Sequence, residues 1–193
     1  MTRILLVLGA GGHGKSVAEA ALLGGNWSEV IFLDDNWPQA SRVLGCEVLG
    51  KVDAIEQVAS RCHGAIAAVG NNAGREQWIG LIERAGIELV SIFHPRAWVS
   101  PSAKVGPGTA VMAGAVVGTA ATVGKGVIIN ANATVDHDAV MEELSHIGVG
   151  VQLAGGVRVG QRAWLQAGSS CGYHVVVDAD TNLPPGSVSK TGC

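Results

Sequence analysis

The amino-acid sequence predicts a two-domain protein, with a small α/β domain over residues 1–94 and a parallel β-helix over residues 95–193. Two observations carry this prediction. Strand-like and helix-like segments alternate in the first half, whereas the second half repeats with a strict six-residue period. The composition agrees, because 28 of the 193 residues are Gly and only 4% are aromatic. The predicted boundary falls near His94 and Pro95.

The repeat in the second half places an aliphatic side chain, Met or Cys at every sixth position. These fifteen positions are Val99, Val105, Val111, Val117, Val123, Ile129, Val135, Met141, Ile147, Leu153, Val159, Leu165, Cys171, Val177 and Leu183. A small or β-branched residue follows four positions after each, as at Ala103 and Thr109. This residue and the next aliphatic one are two apart, so they point to the same face of a strand. Each hexad is therefore one short strand plus a corner, and successive coils must stack to bury their inner faces.

The first half begins with a buried strand over residues 4–8, a glycine turn and a helix over residues 15–23. A second strand, residues 30–33, ends at two aspartates, and a third, residues 65–69, runs into a Gly-Asn-Asn turn. A helix is predicted over residues 75–85 and a further strand over residues 88–92. This alternation indicates a small parallel α/β sheet.

The glycine turn admits two motif interpretations. Gly9, Gly11 and Gly14 fit the dinucleotide fingerprint, whereas Gly9 and Gly14 followed by Lys15 and Ser16 fit a P-loop. The segment is small for a P-loop NTPase, and a complete dinucleotide oxidoreductase needs a second mononucleotide half. Both interpretations share one mechanism, in which backbone N–H groups at a helix N-terminus hold a phosphate. The alternative is a turn that serves only for packing.

The bulk properties exclude several functional classes. The net charge of −3 does not favour nucleic acid or an anionic membrane surface. The four cysteines, Cys46, Cys62, Cys171 and Cys193, fit neither a zinc site nor a disulfide framework. No signal peptide and no apolar run of membrane-spanning length is found, so we expect a cytoplasmic protein without a metal cofactor.

Several short motifs, taken in order, carry a resemblance to a known family. They are Gly-x-Gly-Gly-His-Gly at residues 9–14, Phe-Leu-Asp-Asp at 32–35, Gly-Asn-Asn at 70–72, and a run at 130–155 that includes His137-Asp138, Ser145-His146 and Ala154-Gly155. The chain resembles the sialic acid O-acetyltransferase family of sugar acyltransferases, and in particular the UDP-N-acetylbacillosamine-pathway N-acetyltransferases. The resemblance implies a left-handed β-helix of about five coils. It also implies acetyl-CoA-dependent acetylation of the 4-amino group of a UDP-linked amino sugar, as in bacterial glycan biosynthesis.

The resemblance also assigns roles to individual residues. His137 matches the family's general base, and Asp138 matches the acidic residue that raises its basicity. The residues that match the acetyl-CoA site are His146, Gly155, Ala167 and Pro185, with a backbone N–H near Gly155 facing the thioester oxygen. The residues that match the nucleotide-sugar site are Gly11, Gly12, His13, Asp34, Asp35, Gly70, Asn71 and Asn72.

Three positions depart from the family pattern. The residue after the catalytic histidine is usually Glu, whereas Asp138 is one methylene shorter, so Asp136 is a second candidate for orienting His137. Pro185 stands where the family has a glycine that contacts CoA. The family's Gly-x-Pro-Ala tail is replaced by residues 189–193. The altered end makes acetyl-CoA affinity less predictable than the fold.

The alternatives are a sugar O-acetyltransferase, a non-catalytic nucleotide-sugar sensor and a γ-type carbonic anhydrase. The last needs three zinc-binding histidines, and His137, His146 and His174 do not have its spacing. His146 lies between the inward residues Ser145 and Ile147, so it faces outward, where solvent alone would satisfy it. His174 is expected to be an ordinary surface histidine. We expect a C3 homotrimer with active sites between subunits, as hexapeptide acyltransferases form.

Overall fold

The computed structural model describes residues 3–190 and divides them into two compact units at Pro95 and Arg96. The altered chain end at residues 191–193, including Cys193, lies outside the described residues. Within the described part, no helix is both long enough and apolar enough to cross a membrane.

The first unit is a five-stranded sheet with helices. Its strands lie in the order β3-β4-β2-β1-β5, with β1 at Ile4–Leu8, β2 at Glu29–Leu33, β3 at Arg42–Val43, β4 at Cys46–Val48 and β5 at Gly64–Ala67. The helices are α1 at Gly12–Leu23, α2 at Ile55–Val58, between 3₁₀ turns at Val52–Ala54 and Ala59–Arg61, and α3 at Asn72–Arg84. The centre is apolar because the central strands are nearly continuous aliphatic runs, and Leu5, Ile31 and Ile66 are almost fully buried.

The sheet of the first unit differs from the predicted one in several respects. It is mixed rather than parallel, because β3 pairs antiparallel with β4 in a short hairpin that the sequence analysis missed. Both predicted helices begin three residues early, at Gly12 and Asn72, so that their N-termini form part of the turns after β1 and β5. The strand predicted over residues 88–92 is a single bridge from Leu89 to Ala65, followed by β6 at Ile92–Phe93.

The second unit is a left-handed parallel β-helix, which confirms the predicted fold. Its strands are two residues long and recur every six residues: β7 (Trp98–Val99), β8 (Lys104–Val105), β9 (Ala110–Val111), β10 (Val116–Val117), β11 (Thr122–Val123), β12 (Ile128–Ile129), β13 (Thr134–Val135), β14 (Val140–Met141), β15 (His146–Ile147), β16 (Gln152–Leu153), β17 (Arg158–Val159), β18 (Trp164–Leu165), β19 (Ser170–Cys171), β20 (Val176–Val177), β21 (Asn182–Leu183) and β22 (Val188–Ser189).

The three faces of the β-helix are parallel sheets in which each residue pairs with the residue eighteen positions along, as Thr134 pairs with Gln152. The first face contains β7, β10, β13, β16, β19 and β22, the second contains β8, β11, β14, β17 and β20, and the third contains β9, β12, β15, β18 and β21. The second residue of each strand points inward and builds one continuous apolar core that includes Val117, Val135 and Leu153. The first residue of each strand points outward.

Candidate active site

The candidate catalytic group sits at the corner where the first face turns into the second. Asp136, His137 and Asp138 form this corner between β13 and β14. Asp138 has a φ of +57°, a left-handed conformation that aspartate tolerates better than most side chains. The side chains of His137 and Asp138 are 52% and 68% exposed, so both are accessible to a substrate.

The two aspartates hold His137 from both sides. Nδ1 of His137 lies 2.9 Å from Oδ2 of Asp138, and the His137 backbone N–H donates to Oδ1 of Asp136 at 2.7 Å. The hydrogen bond to Asp138, and then the charge of Asp136, raise the pKa of His137 above its usual value. Because a carboxylate accepts at Nδ1, the neutral ring carries its proton there and leaves Nε2 as a lone-pair acceptor. This is the arrangement that a general base requires.

The free edge of the His137 ring packs on Gly155, which occupies the same corner position one coil later. A methyl group at residue 155 would collide with Cε1 and Nε2 of His137. The Gly155 N–H donates to no acceptor among residues 3–190, so an open donor lies beside the candidate base. The ring of His174, from the coil beyond, packs in the same way on Gly156.

The residues predicted to bind acetyl-CoA do not all gather at this corner. Gly155 does, but His146 is nine residues from His137, which is half of an eighteen-residue coil, and therefore lies on the third face. Ala167 and Pro185 stack at the corner between the third and first faces, eighteen residues apart. Within one chain, the predicted base and these donor-binding residues are on different sides of the β-helix.

His146 corrects one expectation. It does face outward, but it is buried, with only 7% of its surface exposed, rather than solvated. Its ring stacks on Trp164, the next residue along the third face, with ring centroids 5.5 Å apart and planes 14° apart. Trp164 was not predicted as part of the site. An aromatic residue eighteen positions after a candidate histidine would have indicated the stack.

A groove of about 380 Å³ runs along the first face and reaches the His137 corner. Its lining residues are Thr134, Asp136, Gln152, Leu153, Ala154, Ser170, Cys171, Gly172, Val188, Ser189 and Lys190. Asp136, Ala154 and Gly172 are the corner positions nearest the first face in three successive coils. The groove therefore flanks Gly155 from that side.

The glycine turn of the first unit leads directly into α1. A methyl group at Gly14 would collide with the carbonyl oxygen of Gly9, so this glycine allows close packing of the turn. At Gly11 and Gly12 a methyl group would meet no atom within 4 Å. Their backbone at the N-terminus of α1 is thus open to a ligand, and such N-termini favour phosphate groups.

The two aspartates after β2 hold neighbouring backbone. Asp34 is buried, and its carboxylate accepts hydrogen bonds from Ala10 N–H at 2.6 Å and Asn36 N–H at 2.8 Å. Asp35 accepts from Val52 N–H at 3.1 Å. The structure therefore gives Asp34 a role in holding the glycine turn.

A buried arginine that the sequence analysis missed organises the turn after β5. Arg75 is 0% exposed and donates to the carbonyl oxygens of Val69 and Gly70, at 3.1 and 3.3 Å, and to Oδ1 of Asn72 at 2.7 Å. The Asn71 side chain caps α3 by accepting from Gly74 N–H at 2.8 Å. An arginine in the first turn of a helix opposes the helix dipole, and this was the available signal for a tertiary contact.

The imidazole of His13 lies near the positively charged guanidinium of Arg75 and is itself neutral. Its Nε2 is buried without a hydrogen-bond partner among the described residues. Burial, and then the positive charge of Arg75, lower the pKa of His13 to about 4. The residues predicted to bind the nucleotide sugar thus lie in and around two turns, the one after β1 and the one after β5. The turn after β1 presents the neutral imidazole of His13. Among residues 3–190, no group of three His, Cys, Asp or Glu side chains is arranged to hold a metal ion.

Comparison with known proteins identifies close relatives. Residues 4–81 match the family described as PglD N-terminal domain. The acetyltransferase domain of PglB from Neisseria gonorrhoeae is 38% identical, with a TM-score of 0.93 over 99% of this chain and 93% of that one. The same domain in complex with acetyl coenzyme A is 35% identical, with a TM-score of 0.88 over 97% and 96% of the two chains. A histidine-to-asparagine mutant of perosamine N-acetyltransferase from Caulobacter crescentus, in complex with CoA and GDP-perosamine, is 34% identical, with a TM-score of 0.93 over 97% and 89%.

Proposed function

The chain belongs to the PglD-like family of sugar acyltransferases, and on that premise we propose that it transfers the acetyl group of acetyl-CoA to the 4-amino group of a nucleotide-linked amino sugar. A UDP-linked sugar is the substrate that the sequence resemblance favours, and GDP-perosamine is bound by one relative. The observation that carries the proposal is the corner where the aspartate-held His137 and the open Gly155 N–H lie together.

The proposed reaction starts with attack by the sugar amine on the thioester carbonyl carbon. His137 Nε2 takes the amine proton, directly or through a water, while Asp138 stabilises the imidazolium that forms. The Gly155 N–H donates to the oxygen as it becomes negative. The tetrahedral intermediate then collapses as the C–S bond breaks with its electron pair on sulfur. The products are the amide and CoA, whose thiolate takes up the proton from His137.

The two substrates have separate supports. The groove on the first face is suited to the pantetheine arm, because its surface is largely apolar and it reaches Ala154, the residue before Gly155. The glycine turn of the first unit is suited to the sugar nucleotide. The N-terminus of α1 faces the pyrophosphate there, and the buried Nε2 of neutral His13 supplies one further polar contact. In this scheme Asp34 contributes to nucleotide-sugar binding indirectly, because it positions the glycine turn that contacts the ligand.

The half-coil separation of His137 and His146 supports a shared active site. If both residues act on one acetyl-CoA, His146 must come from a neighbouring copy, and a C3 homotrimer supplies three such sites. A mixture of His137→Ala and His146→Ala subunits tests this. With random assembly, about one quarter of the sites regain both histidines. We therefore expect the mixture to be more active than either variant alone at low acetyl-CoA concentration. A mixture without this gain, or a monomer in sedimentation, contradicts the proposal.

The activity itself is tested by thiol release from acetyl-CoA across a panel of UDP- and GDP-linked amino sugars. The matched 4-hydroxy sugars and free sialic acid serve as tests of O-acetylation. Turnover of a 4-amino sugar nucleotide, with an acetamido product in the mass spectrum, supports the proposal. Turnover of the hydroxyl acceptors alone indicates an O-acetyltransferase. Firm binding of a sugar nucleotide with no turnover of any acceptor indicates a sensor.

A further inference from the structure

Gly155 and Gly156 leave one corner of the β-helix without side chains, and we call the space at this corner between the two neighbouring coils the notch. The coil before it contributes His137, and the coil after it contributes Tyr173 and His174 at the matching positions. Coils stack about 4.8 Å apart, so the two walls of the notch are about 10 Å apart along the helix axis. His137 and His174 both lean onto these two glycines.

His174 is held firmly in this wall. Its backbone N–H donates to the Gly155 carbonyl oxygen at 3.1 Å, and its Nδ1 packs against Gly156. Its φ of +59° is the left-handed conformation that recurs at every sixth residue of the β-helix, from Gly108 to Gly186.

We infer that His174 limits the length of the acyl group that the enzyme accepts. The inference rests on the proposed function, because it takes the Gly155 N–H as the donor to the thioester oxygen. It goes further by assigning a specificity-determining residue to a position expected to be ordinary surface.

The direction of the acyl chain follows from the order of residues around the corner. Ala154 faces the groove on the first face, Gly155 sits at the apex, and Gly156 begins the second face. With the carbonyl oxygen on Gly155 and the sulfur reached from the groove, the acyl carbon chain extends over Gly156. The His174 ring packs against Gly156 in that direction, so an acyl chain longer than acetyl meets the imidazole.

The experiment compares acetyl-, propionyl- and butyryl-CoA as donors for the wild-type chain, His174→Asn and His174→Gly. Asparagine keeps the left-handed corner and removes the ring, whereas glycine opens the notch fully. Asp180→Asn is the matched control, because Asp180 is an exposed left-handed residue at the next corner, paired with Arg162. Thermal melting verifies that each variant is folded, and His174→Asn carries the test if the glycine variant does not fold.

We expect both His174 variants to raise the butyryl-to-acetyl ratio of kcat/KM by about tenfold or more, the scale of discrimination by one or two methylenes. Asp180→Asn should leave the ratio unchanged. A wild-type enzyme that transfers acetyl groups, with the same ratio in the His174 variants, would overturn the inference alone. An equal loss with all three donors would also overturn it, because it indicates a purely structural role. A wild-type chain that transfers no acyl group to any amino sugar would overturn the proposed function itself.

Discussion

Two turns of this protein each place a histidine beside a pair of glycines, and the two environments drive that histidine in opposite directions. In the first unit, burial and the Arg75 charge lower the pKa of His13 to about 4. In the second unit, Asp138 and Asp136 raise the pKa of His137. One imidazole is thus kept neutral as a polar contact, and the other is made a stronger base.

The two glycine pairs also differ in the atoms that surround them. Gly11 and Gly12 are surrounded by open space, so their lack of side chains leaves room for a ligand. Gly155 and Gly156 are covered by the imidazole rings of His137 and His174, so their lack of side chains leaves room for those rings. A glycine pair beside a histidine therefore marks either access for a ligand or close packing of side chains, and the surrounding atoms decide which.

The largest expected effect is that of removing the base. His137→Ala should lower kcat by about 10²–10⁴-fold, the usual contribution of acid–base catalysis. Steady-state thiol release measures this, and His63→Ala, at an exposed histidine of the first unit, is the control. Full activity of the His137 variant would remove this residue from the mechanism.

The two glycine pairs can be tested against each other. Gly155→Ala should displace the His137 ring and lower kcat by about 100-fold, because a misplacement of about 1 Å has effects of this size. Gly12→Ala should leave the fold and kcat intact and raise the KM for the sugar nucleotide. Equal effects of the two substitutions on kcat would show that the distinction between access and packing is wrong.

The pH dependence tests the orientation of His137. The base acts when deprotonated, so activity rises with pH through its pKa. Asp138→Asn removes the main cause of the raised pKa, so the acid limb of the kcat profile should move to lower pH. The maximum should fall by about tenfold, because the imidazolium loses its partner. A smaller shift in the same direction is expected for Asp136→Asn. An acid limb that stays in place in both variants would contradict the assignment.

The smallest effect concerns the stability of the first unit in acid. The pKa of His13 is about 4 in the folded chain and 6.5 in the unfolded chain. Above pH 6.5 the ring is therefore uncharged in both states and does not change the free energy of unfolding with pH. Below that pH the unfolded chain binds a proton that the folded chain does not, so stability falls until about pH 4. His13→Asn should reduce this acid sensitivity by about 1–2 kcal/mol at pH 5. Denaturant unfolding at pH 5 and pH 7.5 measures it, and an unchanged pH dependence would show that His13 is not buried as described.

Much of the second unit was predictable, because its contacts follow a fixed period. Once the hexads are recognised, residues eighteen positions apart must stack. The contact between Gly155 and His137 therefore follows from their spacing in the sequence. The stacking of His146 on Trp164 also follows from this register, yet alternation alone left open whether His146 is solvated. Alternation tells which way a residue points but not what covers it.

The first unit was less predictable. Its strands and glycine turn were clear from local pattern, but the β3–β4 hairpin has short, polar strands with no clear alternation. The helix starts at Gly12 and Asn72 were missed because glycine and asparagine are poor helix formers inside a helix yet acceptable at its N-terminus. Arg75 was missed because an arginine in the first turn of a helix, although unfavourable to the helix dipole, does not reveal which groups it pairs with.

The two-part architecture and the stacking register follow from the periodicity of the sequence. The candidate base follows from the family resemblance that the order of short motifs carries. The folded structure was needed to see that Asp34 holds the glycine turn, that burial and then the Arg75 charge keep His13 neutral, and that the His174 ring packs on Gly156. Each of these is a contact between residues distant in the chain, outside the strict repeat or at its corners. The environment that sets a pKa or fills a cavity exists only once the chain has folded.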